Sequence, residues 1–117
     1  MKMIGRAFLS LTILATVSGI TQAGYIRGIE LQNWCASKDL TDKSSCVAYI
    51  LGVHDTIERV SASNSRKLYC LPEGTGSEKL FEAVVNYLSD NPKTIHLSAS
   101  SNVLLALKKQ YTCKQDG

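Results

Sequence analysis

Few residues in this chain have chemistry to offer, and the cysteines come first among them. Four occur, at Cys35, Cys46, Cys70 and Cys113. Such a set is either a metal site or a pair of disulfides, and spacing and compartment decide between the two. A zinc site favours short spacings such as C-x-x-C with partner histidines. No two of these cysteines are close neighbours in sequence, so the pattern favours disulfides over zinc. The two histidines, His54 and His96, have no cysteine or carboxylate at a recognised metal-ligand spacing. His54 with Glu58, and Asp55 with Arg59, sit four apart and read as helix-face contacts worth a few tenths of a kcal/mol. Serines are plentiful, but no G-x-S-x-G elbow presents one as a nucleophile. Gly74-Thr75-Gly76 is too short for a phosphate loop and lacks its lysine. With no catalytic constellation on the page, we expect no enzymatic activity, no metal and no cofactor.

The N-terminal segment bears on the compartment. Lys2 and Arg6 give it a positive start, an apolar run follows from Ala7 to Ile20, and Thr21-Gln22-Ala23 places small residues where a signal peptidase reads. The run is shorter than the roughly 20 residues that cross a bilayer as a helix. Residues 1–23 therefore read as a cleaved signal peptide, with an uncleaved anchor as the alternative, and residues 24–117 as one domain. In that oxidising setting the cysteines pair.

The whole chain has a formal charge of +3, and removal of Lys2 and Arg6 lowers that by two. That balance excludes a nucleic-acid binder, which clusters Lys and Arg on one face. At 117 residues, with 44% hydrophobic and 20% charged, the chain has room for one ordinary globular core.

The elements that must position these residues read as helices. A first short helix covers Ile26 to Cys35, with Ile29, Leu31 and Trp34 as its apolar surface. Ser37 to Ser45 is polar and turn-like. Ser44 or Ser45 then caps a second helix to about Val60, whose Val47, Ile50, Leu51, Val53, Ile57 and Val60 recur at helical spacing. Gly52 inside it costs about 1 kcal/mol relative to Ala, and close approach of a neighbouring helix is the plain reason for it. Ser61 to Lys67 reads as a polar loop.

Thr75 and Glu78 fit a capping box. The third helix runs from Gly76 or Ser77 to about Ser89, with Leu80, Phe81, Val84, Val85 and Leu88 as its buried stripe. Asn91-Pro92 ends it and caps a fourth helix to about Tyr111, striped by Leu97, Val103, Leu104, Leu107 and Tyr111. The tyrosines and Trp34 read as half-buried aromatics with polar tips at the surface. No alternation long enough for a sheet occurs, so the fold is an all-α bundle of about four helices.

Short connections make helices two, three and four run up, down and up. Cys35 and Cys46 then share one end of the bundle, and Cys70 and Cys113 the other. The topology therefore points to Cys35–Cys46 and Cys70–Cys113. Loop-entropy arithmetic gives these roughly 3 and roughly 4 kcal/mol.

From Leu31 to Cys113 the chain resembles the Rap/Tai family of type VI secretion immunity proteins of Gram-negative bacteria. The matching residues are Trp34-Cys35, then Cys46-Val47-Ala48-Tyr49-Ile50-Leu51-Gly52-Val53-His54-Asp55, then Tyr69-Cys70-Leu71-Pro72. Val84-Val85-Asn86-Tyr87-Leu88 follows with Asn91-Pro92 behind it, then Leu104-Leu105-Ala106-Leu107 and Tyr111-Thr112-Cys113. Where the family pattern has Pro before the last Cys, this chain has Thr112. The resemblance implies a periplasmic, disulfide-bonded, all-helical protein, often a homodimer. Its partner would be a protein toxin, a peptidoglycan amidase delivered by neighbouring or sister cells, which it binds and blocks. Nucleic acid and a stable membrane anchor are not among the expected partners.

Most matched positions are cysteine, glycine and core residues, which specify a fold more than a partner. Candidate contact surfaces are the polar loops on either side of Cys70, with Asn64, Arg66 and Glu73 offering hydrogen bonds or charge to an active-site rim. A second reading is a periplasmic acid-stress chaperone without a toxin partner. Such a protein opens in acid and exposes apolar surface, which two disulfides oppose. Non-reducing peptide mapping of the exported protein should recover Cys35 linked to Cys46 and Cys70 linked to Cys113. Four free thiols or stoichiometric zinc would overturn the compartment argument, and a Cys35–Cys70 link only the topology.

Overall fold

In the computed structural model, which describes residues 26–114, the chain forms α1 (Gly28–Ala36), α2 (Leu40–Asn64), α3 (Ser77–Asp90) and α4 (Ala99–Gln110). Each helix touches the other three. Among the described residues there is no strand beyond the isolated bridge between Arg27 and Ser98, so the fold is all-α. No described helix is long and apolar enough to cross a membrane. The expected signal peptide and its cleavage site lie outside the described residues.

The core joins Leu31 of α1, Cys46 and Ile50 of α2, Leu80, Val84 and Leu88 of α3, and Val103 and Leu107 of α4. The expected stripes are met in their centres and miss at their ends. Val60 is 51% exposed, while its neighbour Ser61 is buried, and Leu97 is 40% exposed and precedes α4. Ala99, Asn102 and Ala106 are buried in their place along α4.

Helix α2 begins earlier than the apolar pattern indicates. Asp39, not Ser44 or Ser45, is its N-cap: Oδ1 accepts from the N–H groups of Thr41 and Asp42 at 2.8 and 3.1 Å. Ser37 donates to the Asp42 carboxylate at 2.7 Å and fastens the entry. This first turn faces solvent, with Leu40 at 80% exposure, so it carries no apolar period to read. The helix also continues past Val60 to Asn64.

Helix α4, by contrast, begins later, at Ala99. Asn91 does not start it: its side-chain amide donates to the Tyr87 carbonyl at 2.8 Å and so closes α3. Residues 92–97 form turns, and Ser98 caps α4 by accepting from the Ser101 N–H at 3.1 Å. The reason is competition for carbonyls. The first N–H groups of any helix lack partners within it. Those of Gly28 and Ile29 in α1 donate to the carbonyls of Leu97 and Ile95, both at 2.8 Å. Those carbonyls are thereby withdrawn from any α4 helix started at Pro92.

One residue organises this crossing. Asn102 is fully buried. Its amide nitrogen donates to the carbonyls of Thr94 and Ser98 at 2.9 and 3.0 Å, and its oxygen accepts from the Thr94 hydroxyl at 2.9 Å. Gly28 lies against it so closely that an added Cβ would stand 2.6 Å from both the Asn102 amide and the Ile95 carbonyl. The close approach expected at Gly52 is found here instead. Gly52 is exposed, and nothing lies within 4 Å of an added Cβ there.

Both disulfides form as the topology requires. Cys35–Cys46 has a Cα separation of 5.2 Å and Cys70–Cys113 one of 4.9 Å.

Equilibrium urea unfolding with the disulfides intact checks this account. Asn102→Ala should lose about 3 kcal/mol, since it leaves several buried groups unpaired. Gly28→Ala should lose about 2 kcal/mol by overpacking against backbone. Gly52→Ala should gain about 1 kcal/mol, as an exposed helical glycine replaced. Equal effects of the two glycine substitutions would contradict the packing described.

Candidate functional site

The candidate contact residues gather at the end of the bundle where α2 stops, α3 starts and α4 stops. Helix α2 terminates because Ser65 adopts a left-handed conformation, φ 53°, and the Arg66 N–H then bonds the Ser61 carbonyl at 3.2 Å. That six-to-one bond is the Schellman way of closing a helix, here with serine where glycine is usual. Asn64 is therefore the last helical residue, not part of a loop, and it flanks Ser65 together with Arg66. Both side chains are exposed.

Glu73 occupies the tip of the next turn. Gly74 has φ 79°, and the Thr75 N–H returns to the Pro72 carbonyl at 3.2 Å, the arrangement of a type II turn that needs glycine at its third position. The Thr75 hydroxyl donates to the same carbonyl at 2.6 Å. The N-cap of α3 is Gly76, one residue later, which has no side chain to cap with. The capping box expected from Thr75 and Glu78 does not form. Glu73 is exposed, as are Asn64 and Arg66, and along the chain Cys70 lies between Arg66 and Glu73.

The anchor has three attachments. Cys70 is bonded to Cys113, and its N–H donates to the Tyr111 carbonyl at 2.8 Å. Tyr69 turns inward to 2% exposure, with its hydroxyl 2.7 Å from His54 Nδ1 on α2 and the two ring centres 5.9 Å apart. This pairing corrects the helix-face reading of His54 with Glu58 and the half-buried reading of Tyr69. The ion pair among the described residues is Lys79 with Glu82 at 3.2 Å, and Asp55 with Arg59 forms none. A fold-dependent contact between residues 15 apart has no periodic signature, so sequence reasoning missed it.

Burial first, and then the carboxylates of Glu58 and Asp55, push the Tyr69 phenol from 10.0 up to about 12. It therefore stays protonated, and its single buried proton needs an acceptor. Imidazole Nδ1 lies within reach of it, and an unprotonated Nδ1 accepts from the hydroxyl.

Two shallow apolar recesses accompany this end and the α2 face. One, about 520 Å³, lies between Leu71, Pro72, Tyr111 and Lys114. The other, about 510 Å³, runs along Ala48, Tyr49, Gly52, Val53 and Thr56 of α2 with Ser100 at its edge.

Four packed helices held by two disulfides define a small all-α domain. The chain belongs to the family of Rap1a immunity proteins, whose model matches residues 27–113. The match spans all four helices and both disulfides, in agreement with the resemblance read from the sequence. No curated protein and no solved structure matches the chain.

The raised phenol gives a signed expectation. Below pH 10 the burial of neutral Tyr69 contributes its full stability. As pH rises from about 10 towards 12 the unfolded chain loses this proton first, and that stability is progressively lost. Ultraviolet titration of the folded protein should show a last phenol ionising near 12. That step, and the associated loss of stability, should be absent in Tyr69→Phe.

Proposed function

We propose that this protein is an exported immunity protein that binds a type VI-secreted peptidoglycan amidase and covers its cleft. The family match over residues 27–113 carries this reading. Two disulfides in a small domain suit the oxidising periplasm, where such a toxin acts. Inhibition by occlusion draws its free energy from the interface and needs no bond-making residue, metal or cofactor on the inhibitor.

We place the contact surface at the Cys70 corner. Asn64 and Arg66 at the close of α2, and Glu73 at the tip of the Pro72–Thr75 turn, project from backbone already fixed by a disulfide and by hydrogen bonds. Little further entropy is lost when such a surface docks. A planar guanidinium beside a carboxamide can engage a carboxylate or main-chain carbonyl at an active-site rim. Self-association follows from the same reading, and the open α2 groove is the apolar surface available to a second copy.

Co-expression in the periplasm with each type VI-secreted cell-wall amidase of its own genome tests the proposal. Wild type should protect cells from lysis, and the Asn64→Ala, Arg66→Ala, Glu73→Ala variant should bind at least about tenfold more weakly with unchanged melting. Undiminished protection by the variant would move the interface elsewhere. If wild type binds no such amidase, and instead slows aggregation of other proteins in acid, the chaperone reading replaces this one.

A further inference from the structure

The stretch from Arg66 to Gly76 contains no helix or strand, so a few attachments set its orientation. Cys70 supplies two, the disulfide to Cys113 and the 2.8 Å bond to the Tyr111 carbonyl, and both lead to the end of α4. Leu68 and Leu71 on either side of Cys70 also pack against the core. Tyr69 supplies a restraint to a different helix, through its buried ring and the 2.7 Å contact with His54 of α2.

We propose that His54 and Tyr69 are positioning residues for the partner-binding corner, and that protonation of His54 loosens their hold and weakens toxin binding in acid. The inference rests on the reading above that this corner meets the toxin. A neutral imidazole accepts the phenol proton at Nδ1. Once Nδ1 carries a proton it becomes a donor facing another donor. The phenol oxygen must then accept, and its own O–H is left without a partner in a site 2% exposed. An unpaired buried donor costs more than a made bond contributes, so the contact is weakened and not merely reversed.

The charged groups around the pair set the counterweight. From α2 these are the carboxylates of Asp55 and Glu58, whose charge acts on Tyr69. Both are exposed, which screens them, and Glu58 shares a recess with Arg66 and Lys67 of the corner, which offset it. The donor clash therefore dominates. Imidazoles ordinarily change charge between about pH 5 and 8, a range that reaches any compartment open to the surroundings.

The test uses the disulfide-bonded protein, the amidase probe of the co-expression experiment, and the variants Tyr69→Phe and His54→Gln. Tyr69→Phe keeps the ring and its packing. It should melt near wild type yet release the amidase about fivefold faster. Wild-type affinity should fall about fivefold between about pH 7.5 and about pH 5.5, and neither variant should show that response. His54→Gln, which keeps an acceptor that does not titrate, should retain most of the affinity at neutral pH. Unchanged release from Tyr69→Phe, or the same pH response in all three proteins, would overturn the proposal.

Should Tyr69→Phe fail to fold, His54→Gln carries the comparison of pH profiles alone. If no amidase binds wild type, the functional reading fails, and the positioning role is decided by hydrogen exchange. Amides of residues 66–76 should then exchange about fivefold faster in His54→Leu than in wild type at neutral pH. Equal exchange would overturn it.

Discussion

The fold turns on how one buried carboxamide is satisfied. Asn102 lies at full burial inside an otherwise apolar interface, where each unpaired polar atom would cost more than a made hydrogen bond contributes. Its amide and carbonyl are met by Thr94 and Ser98, which forces residues 94–98 into turns that wrap around its side chain. Those turns present carbonyls outward, and the first N–H groups of α1 take them. The start of α1, the delayed start of α4 and the absence of a side chain at Gly28 are therefore one arrangement. Each depends on the others, since a Cβ at Gly28 would strike the very groups that satisfy Asn102.

The opposite end of the bundle is held by different means. There the chain uses a covalent bond between Cys70 and Cys113, a main-chain bond to Tyr111, and an aromatic side chain turned inward against His54. The contrast has a functional sense. The Asn102 crossing is buried and tightly packed, which favours rigidity over exposure. The Cys70 corner keeps its backbone fixed while leaving Asn64, Arg66 and Glu73 in solvent. A fixed backbone with free polar side chains suits recognition of a folded partner, because ordering costs are met before the partner arrives.

Membership of the Rap1a immunity family agrees with that division of labour. The motif residues fall largely on the core, the cysteines and the turns, and so describe the scaffold. At the Cys70 corner a left-handed residue at Ser65 and a glycine-dependent turn at Gly74 bound a path held inward by Tyr69 and Cys70, while Arg66 and Glu73 stay exposed.

The sequence by itself determined the all-α class, the number of helices, the centres of their apolar stripes and both disulfide pairings. These follow from periodicity, which is local, and from antiparallel topology, which short connections impose. It also located the corner that carries the exposed polar residues. It misread boundaries wherever a helix turn faces solvent or where its carbonyls are claimed by another element. Asp39 caps a first turn with no apolar period, Asn64 ends a last turn equally polar, and α4 waits until Ser98 because Ile95 and Leu97 serve α1. It also assigned the close approach to Gly52 when Gly28 makes it, and gave His54 a helical neighbour when Tyr69 is its partner. Only the tertiary structure decides these, because each depends on which groups distant segments bring together, and hydrogen-bond satisfaction in a buried site is a property of the assembled core.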